Sequence, residues 1–149
     1  MTAGPFDLRV TRHISAPPAA VWAAMFGRLT EWWCPRPWQT EIIELDLRPG
    51  GRSAMVMRGP AGEESPMEGV VLEWVPETRF VFTDAFRAGW LPHTPAFMVG
   101  IFALEAESGG TRYTATARHW TEAAMEEHRA MGFEEGWSTV IEQLAALVE

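Results

Sequence analysis

TEAAMEEHRAMGFEEGWSTVIEQLAALVE, Thr121 to Glu149, is the stretch whose reading decides the fold. From Phe133 onward, Phe133, Trp137, Val140, Ile141, Leu144, Leu147 and Val148 recur at the spacing of a single apolar stripe on a helix. Before that point Met125, His128 and Met131 project on another face, so the two halves meet different surroundings. Gly132 and Gly136 stand four apart, on one face of a continuous helix. Each costs about 1 kcal/mol relative to alanine in a helix interior. Two readings are open: two helical pieces joined by a glycine, or a long helix turned near Gly132 whose second half packs on a sheet while its first half roofs a hollow. A glycine pair that serves close approach points to the second.

Upstream the chain reads as strands, interrupted once by helix. Phe6, Leu8 and Val10 alternate with polar neighbours and Ile14 keeps their phase, with Arg12 breaking the pattern. Ser15-Ala16-Pro17-Pro18 ends this strand and opens a helix, with Ser as cap and Pro in the first turn. Val21, Trp22, Met25 and Phe26 form its buried face. A second short helix is expected over Leu29 to Trp33, stopped by Pro35 and Pro37. Six strands follow. Ile43, Leu45 and Leu47 alternate against Glu44, Asp46 and Arg48; Ser53, Met55 and Met57 share a face; Met67 to Val75, Arg79 to Ala85, Phe97 to Glu107 and Thr111 to Trp120 complete the series. Turns fall at Arg48-Pro49-Gly50-Gly51, Gly59-Pro60-Ala61-Gly62, Pro76-Glu77 and Ser108-Gly109-Gly110. Phe86 to Ala96, with Gly89, Pro92 and Pro95, is expected to be irregular, and its Trp90, Leu91 and His93 to cover something. Strand, two short helices, six strands and a long helix make an α+β order, in which the helix covers one face of an antiparallel meander.

The length of 149 residues suits one domain over 1–149, and no linker or repeat divides it. A formal net charge of −8, with 12 scattered basic residues, argues against nucleic acid and against an anionic membrane surface. The most apolar run, Phe97 to Leu104, has the length of a strand and is too short to span a bilayer, so no membrane insertion is expected. Cys34 is the lone cysteine, and Met1-Thr2-Ala3-Gly4-Pro5 lacks the basic and apolar parts of a signal segment. The expectation is a cytoplasmic monomer or homodimer. With 8 Trp, 8 Phe and 8 Met against one Tyr, the interior is supplied with large, soft surfaces that fill irregular cores or line adaptable pockets.

Several segments together resemble a known family. They are Val10-Thr11-Arg12-His13-Ile14-Ser15-Ala16-Pro17 with Val21-Trp22 after it, Trp32-Trp33-Cys34-Pro35, and the turn Leu47-Arg48-Pro49-Gly50-Gly51-Arg52. Gly69 to Glu73 with Pro76 and Arg79-Phe80, the hairpin Gly109-Gly110-Thr111-Arg112, and Gly132 with Gly136-Trp137 complete the set. In this order they resemble the homologues of the activator of heat-shock protein 90 ATPase, in the START-like, Bet v 1-like (SRPBCC) superfamily. The resemblance implies a helix-grip fold: a curved antiparallel sheet wrapped around the C-terminal helix, two short helices between the first and second strands closing one end, and a cavity between helix and sheet. The eukaryotic co-chaperones of that name carry an additional N-terminal domain, which is not expected here. Cys34 stands where relatives usually show glycine, so the resemblance gives the thiol no role.

His119 falls in phase with Tyr113, Ala115 and Ala117, and the two alanines leave room beside it for a ligand; a satisfied structural histidine is the other reading. Asp84 is in phase with Phe80 and Phe82, and Glu68 with Val70 and Leu72. A carboxylate turned inward needs a partner, for which Arg52, Arg58 and Arg118 are available. His13, His93, His119, His128 and Cys34 show no metal-ligand spacing, and no phosphate loop, Ser-His-Asp set or dinucleotide fingerprint occurs, so no metal and no cofactor are expected. The leading expectation is a domain that binds an apolar, lipid-like or aromatic small molecule. Its cavity would be lined by Trp33, Met55, Met57, Phe82, Trp90, Tyr113, His119, Phe133, Gly136 and Trp137. A cyclase or hydrolase-like enzyme using His119 with Asp84 or Glu68, as the superfamily's cyclases imply, is one alternative. A chaperone-related or stress-related interaction module is the other.

Overall fold

In the computed structural model, which describes residues 2–149, alternation at the start of the chain makes β1 (Asp7–Ile14) and turns Leu8, Val10 and Ile14 into the core. Helix α1 (Pro18–Gly27) then buries Val21, Trp22 and Met25. Ser15 is not its cap: Pro17 holds that position without a side-chain bond, and the Ser15 N–H donates to the Glu149 carboxylate at 3.0 Å. The expected second helix contracts to one 3-10 turn, Leu29–Glu31.

Strands β2 (Gln39–Leu45), β3 (Arg52–Arg58), β4 (Glu64–Val75) and β5 (Arg79–Thr83) follow. The segment expected to be irregular instead pairs β6 (Phe86–Arg87) with β7 (Leu91–Pro92) in a small ribbon, turned by Gly89 and Trp90 at positive φ. Then come β8 (Val99–Glu107) and β9 (Gly110–Arg118). Seven of these strands form one antiparallel sheet in the order β1-β9-β8-β5-β4-β3-β2. Strand β2 is therefore an edge. Its alternation differs from expectation because the register shifts between Ile42 and Glu44, and this bulge leaves Ile43 53% exposed.

The C-terminal stretch is two helices, α2 (Glu122–Ala130) and α3 (Phe133–Val148). Thr121 Oγ1 caps α2 by accepting from the Ala124 N–H at 3.1 Å. Gly132 sits between them at φ +93°, a backbone that side-chain-bearing residues avoid, and this breaks the helix. Close approach, the expected reason for the glycine pair, is corrected: a Cβ at Gly132 or at Gly136 would meet no atom within 4 Å. Helix α3 lies in the curve of the sheet, packed on β1 and α1, with Arg12 holding Glu142 at 2.7 Å and Glu149 at 2.9 Å. This is the α+β helix-grip arrangement. Among the described residues no helix is long and apolar enough to cross a membrane.

Candidate functional site

The concave face of the sheet is filled at one end and hollow at the other. Near α1, the rings of Trp22, Phe26, Trp74 and Phe80 interlock, with neighbouring centroids 4.6 to 5.1 Å apart. Towards the middle, Phe82, Phe102 and Trp137 instead stand in a parallel row. Phe82 and Phe102 are 6.0 Å apart at 9°, and Phe102 and Trp137 are 5.9 Å apart at 8°. Gly100 permits that row, since a Cβ there would lie 2.5 Å from Phe82 Cε1. Ala115 and Ala117 on β9 contribute little volume beside it.

What remains is a pocket of about 370 Å³ between α2, the first turns of α3 and the sheet. Among the described residues, its wall contains no Asp, Glu, Lys or Arg. A volume of this kind falls in the lower part of the range typical of small-molecule sites, roughly 300 to 1,000 Å³. Trp33 closes one side, with its centroid 5.5 Å from that of Phe102. Gln143 fixes the segment bearing Trp33: its amide donates to the carbonyls of Trp32 at 3.2 Å and Cys34 at 2.9 Å, and its oxygen accepts from the Arg36 N–H at 3.0 Å. Sequence reasoning missed Gln143. The available signal was a polar residue embedded in the apolar stripe of α3, which requires partners when buried. The Cys34 thiol also lines the pocket; it accepts from Thr40 Oγ1 at 3.0 Å, and burial pushes its pKa up, so it stays protonated.

The wall carries the polar side chains of Cys34, Ser65, Tyr113 and His128, and His119 stands behind His128. His119 Nδ1 is 2.9 Å from the Phe6 carbonyl, and its Nε2 is 2.8 Å from His128 Nδ1. His128 is 6% exposed, its ring set against Phe97 at 4.6 Å and Phe133 at 5.2 Å. Burial, and secondarily the neighbouring His119, push the His128 pKa down to about 4, so its ring is neutral near pH 7. Tyr113 is wholly buried, and its hydroxyl has no hydrogen-bond partner among the described residues. Desolvation pushes its pKa up, which keeps the phenol proton in place.

Of the residues expected to face a cavity, Trp33, Met57, Phe82, Tyr113, Gly136 and Trp137 line this pocket together. Met55 lines an adjoining hollow of about 260 Å³ with Glu68, Asp84 and Arg87. The two share Met67, Phe82, Phe97 and Met98. Phe133 stands behind Trp137, its ring 4.6 Å away, and His119 stands behind His128. Trp90 lies elsewhere: it is 53% exposed on the outward-turned ribbon, with its ring over Gly50 and edge-on to Phe86. His128, Phe102 and Met98 belong to the wall and were not singled out as cavity residues by sequence.

The carboxylates have other partners. Asp84 accepts from the N–H of Phe97 at 2.8 Å and of Met98 at 3.2 Å, thereby holding the start of β8. Glu68 pairs with Arg52 at 3.2 Å, which lowers its pKa, and Arg87 lies 3.9 Å away. Of the other arginines considered, Arg58 binds Glu41 and Glu64, and Arg118 binds Asp7. Neither Asp84 nor Glu68 is bonded to His119. Among the described residues, no three His, Cys, Asp or Glu side chains are placed to hold a metal ion.

The sequence profile of the family described as Activator of Hsp90 ATPase homolog 1-like protein matches residues 15–149. A solved structure of a protein from Nitrosomonas europaea is similar at 37% identity, covering 97% of this chain and 96% of that one, with a TM-score of 0.90. A Mycobacterium smegmatis protein is similar at 28% identity over 97% of this chain and 91% of its own, with a TM-score of 0.80. The AHSA1 protein from Silicibacter pomeroyi shares the fold at 24% identity, over 94% and 95% of the two chains, with a TM-score of 0.72. No curated protein matches the chain.

Proposed function

The chain belongs to the Activator of Hsp90 ATPase homolog 1-like family, and on that premise we propose that it binds an apolar, aromatic or lipid-like small molecule in the pocket between the C-terminal helices and the sheet. One observation carries the reading: an uncharged, aromatic-walled pocket of about 370 Å³ persists beside a closely packed aromatic cluster. The pocket opens to solvent beside the exposed Met131, so its apolar lining lacks the dispersion contacts that a packed interior provides. A ligand would supply those contacts and remove its own apolar surface from water, contributing about 25 cal/mol per Å² buried. Gly136 is the gatepost of this reading. It lines the pocket, and a side chain there would project into open space. An enzyme acting through His119 and a carboxylate has less support, since those groups are bonded elsewhere.

The test is an equilibrium titration with the uncharged fluorophore 6-propionyl-2-dimethylaminonaphthalene, read by energy transfer from tryptophan. Trp33 and Trp137 form part of the wall, so a bound probe quenches them directly. Wild type is expected to bind saturably with one site, and Gly136→Leu to remain folded while losing uptake. A wild type that binds no probe would refute the reading, as would a folded Gly136→Leu that binds as before.

A further inference from the structure

Helix α2 borders the pocket and is held to the rest of the molecule by few contacts. His128 is its buried residue, Met125 is partly buried against the core, and Glu122, Glu126, Glu127, Arg129 and Ala130 face solvent. The ion pair of Arg129 stays inside the helix, with Glu126 at 3.3 Å. Among the described residues, one side-chain hydrogen bond joins α2 to the sheet, between His128 and His119 at 2.8 Å. That bond needs one ring to donate and the other to accept, and it forms with either as the donor. The His128 ring is otherwise set among Phe97, Phe133 and Trp137, with centroids 4.6, 5.2 and 6.0 Å away. An element with so little buried apolar surface opens at a much lower cost than the core.

The links at its two ends leave α2 free to lift. The sheet holds the chain as far as His119, whose N–H donates to the Phe6 carbonyl at 3.1 Å. Trp120 and Thr121 follow, both exposed. At the other end Gly132 stands at φ +93° with open space on its Cβ side. His119 therefore belongs to the fixed part and His128 to the part that can move. The same segment supplies the wall at His128 and the rim at the exposed Met131, so lifting it widens the mouth of the pocket.

Resting on the small-molecule reading above, we propose that α2 is the lid of the pocket, lifting on its two links to admit a guest and latched shut by the bond between His128 and His119. The latch recognises nothing of the guest; it sets how often the mouth opens. His119 is a positioning residue, which acts through His128.

Cys34 reports on the mouth without any ligand, because its thiol lines the pocket and the residue is 6% exposed. The test follows its modification by 4,4′-dithiodipyridine, a two-ring reagent that must enter the pocket to reach it. His119→Phe and His128→Phe each remove the latch and keep a ring in place. Each is expected to raise the modification rate about fivefold to tenfold, the worth of one buried hydrogen bond, and the double variant to gain no more, since both remove the same bond. Unchanged rates in both variants overturn the proposal. So does a wild-type rate that climbs with urea in step with global unfolding, because the thiol is then reached through the unfolded chain. Stopped-flow binding of 6-propionyl-2-dimethylaminonaphthalene tests the gate. The latch re-forms over a bound guest, so His119→Phe should raise association and dissociation by one factor and leave Kd within about twofold of wild type. A change confined to dissociation is what a merely structural alteration of the wall would give, and it overturns the gate. A wild type that binds no fluorophore refutes the pocket reading, while the thiol rates still decide whether α2 opens.

Discussion

Tyr113 and His128 are single residues whose chemistry is set by what surrounds them. An unpartnered buried hydroxyl contributes its desolvation cost and no compensating bond, so removing it relieves about 1 to 2 kcal/mol. Tyr113→Phe is therefore expected to stabilise the ligand-free protein by that amount in urea unfolding, and a destabilised variant would show that the hydroxyl does have a partner in solution. His128 makes the second prediction. Its folded pKa of about 4 lies below the ordinary 6.5, so between those values the unfolded chain binds a proton that the native state does not. The stabilisation is complete above pH 6.5 and declines as pH falls towards 4, by on the order of 3 kcal/mol. Asp7, Glu68 and Glu73 have lowered pKa values and lose their contribution at still lower pH, so the comparison must be differential. Urea midpoints at pH 7 and pH 4.5 should differ less in His128→Phe than in wild type; equal differences would mean that His128 is not buried and neutral. The inward phase of His119 with Ala115 and Ala117 was legible in the sequence. Its pairing with His128 was not, because two residues nine apart meet here only through the way α2 is folded back over the sheet.

Gly132 and Gly136 look alike in sequence and behave oppositely as parts of an element. Gly132 ends one helix and begins another at φ +93°, where any L side chain crowds its own backbone. Gly136 is inside α3, and a Cβ there would meet nothing within 4 Å. Gly132→Ala is expected to destabilise by about 1 to 2 kcal/mol. Gly136→Ala is expected to stabilise by up to about 1 kcal/mol, since alanine is the better helix former and the space for its methyl exists. Thermal unfolding of the two variants decides, and shifts of the same sign would contradict the break between α2 and α3. Periodicity located α3, because the apolar stripe from Phe133 to Val148 is long and regular, while the separation of α2 as its own helix was the less favoured of the two readings. Strand β2 was the reverse case: alternation through Ile43 looked sound, yet the bulge at Ile42 and Glu44 inverts the phase, and no residue pattern announces where two strands slip by one position. Likewise nothing in Phe86 to Ala96 indicated that Trp90 would turn outward, a consequence of how the ribbon leaves the sheet.

At the scale of the molecule, the order of strands, short helices and closing helix was enough to give the α+β architecture, because antiparallel neighbours with short turns leave few arrangements. The position of the hollow was not derivable from that order. It depends on Gly100 letting Phe82 lie along Phe102, and on Gln143 drawing the Trp32 to Arg36 segment onto α3. One consequence divides the aromatic residues into two classes that composition cannot tell apart. Phe80 is 1% exposed and packed on Phe26, Trp74 and Phe82, so Phe80→Ala should leave a cavity and cost about 3 to 5 kcal/mol. Trp137 already borders open space on the pocket side, and its truncation enlarges a hollow instead of creating one. Trp137→Ala is expected to cost clearly less than Phe80→Ala, although tryptophan is the larger side chain. Ligand should then separate the two further: at a hundredfold excess over Kd, the fluorophore should stabilise wild type by about 2.7 kcal/mol through mass action. Phe80→Ala, provided it folds, should keep most of that increment, and Trp137→Ala should lose most of it, because the largest ring that α3 contributes to the pocket wall is gone. Urea unfolding of the three proteins with and without fluorophore measures all of these terms. If Trp137→Ala is the costlier truncation and the increment survives in it, the hollow lies somewhere other than beside α3.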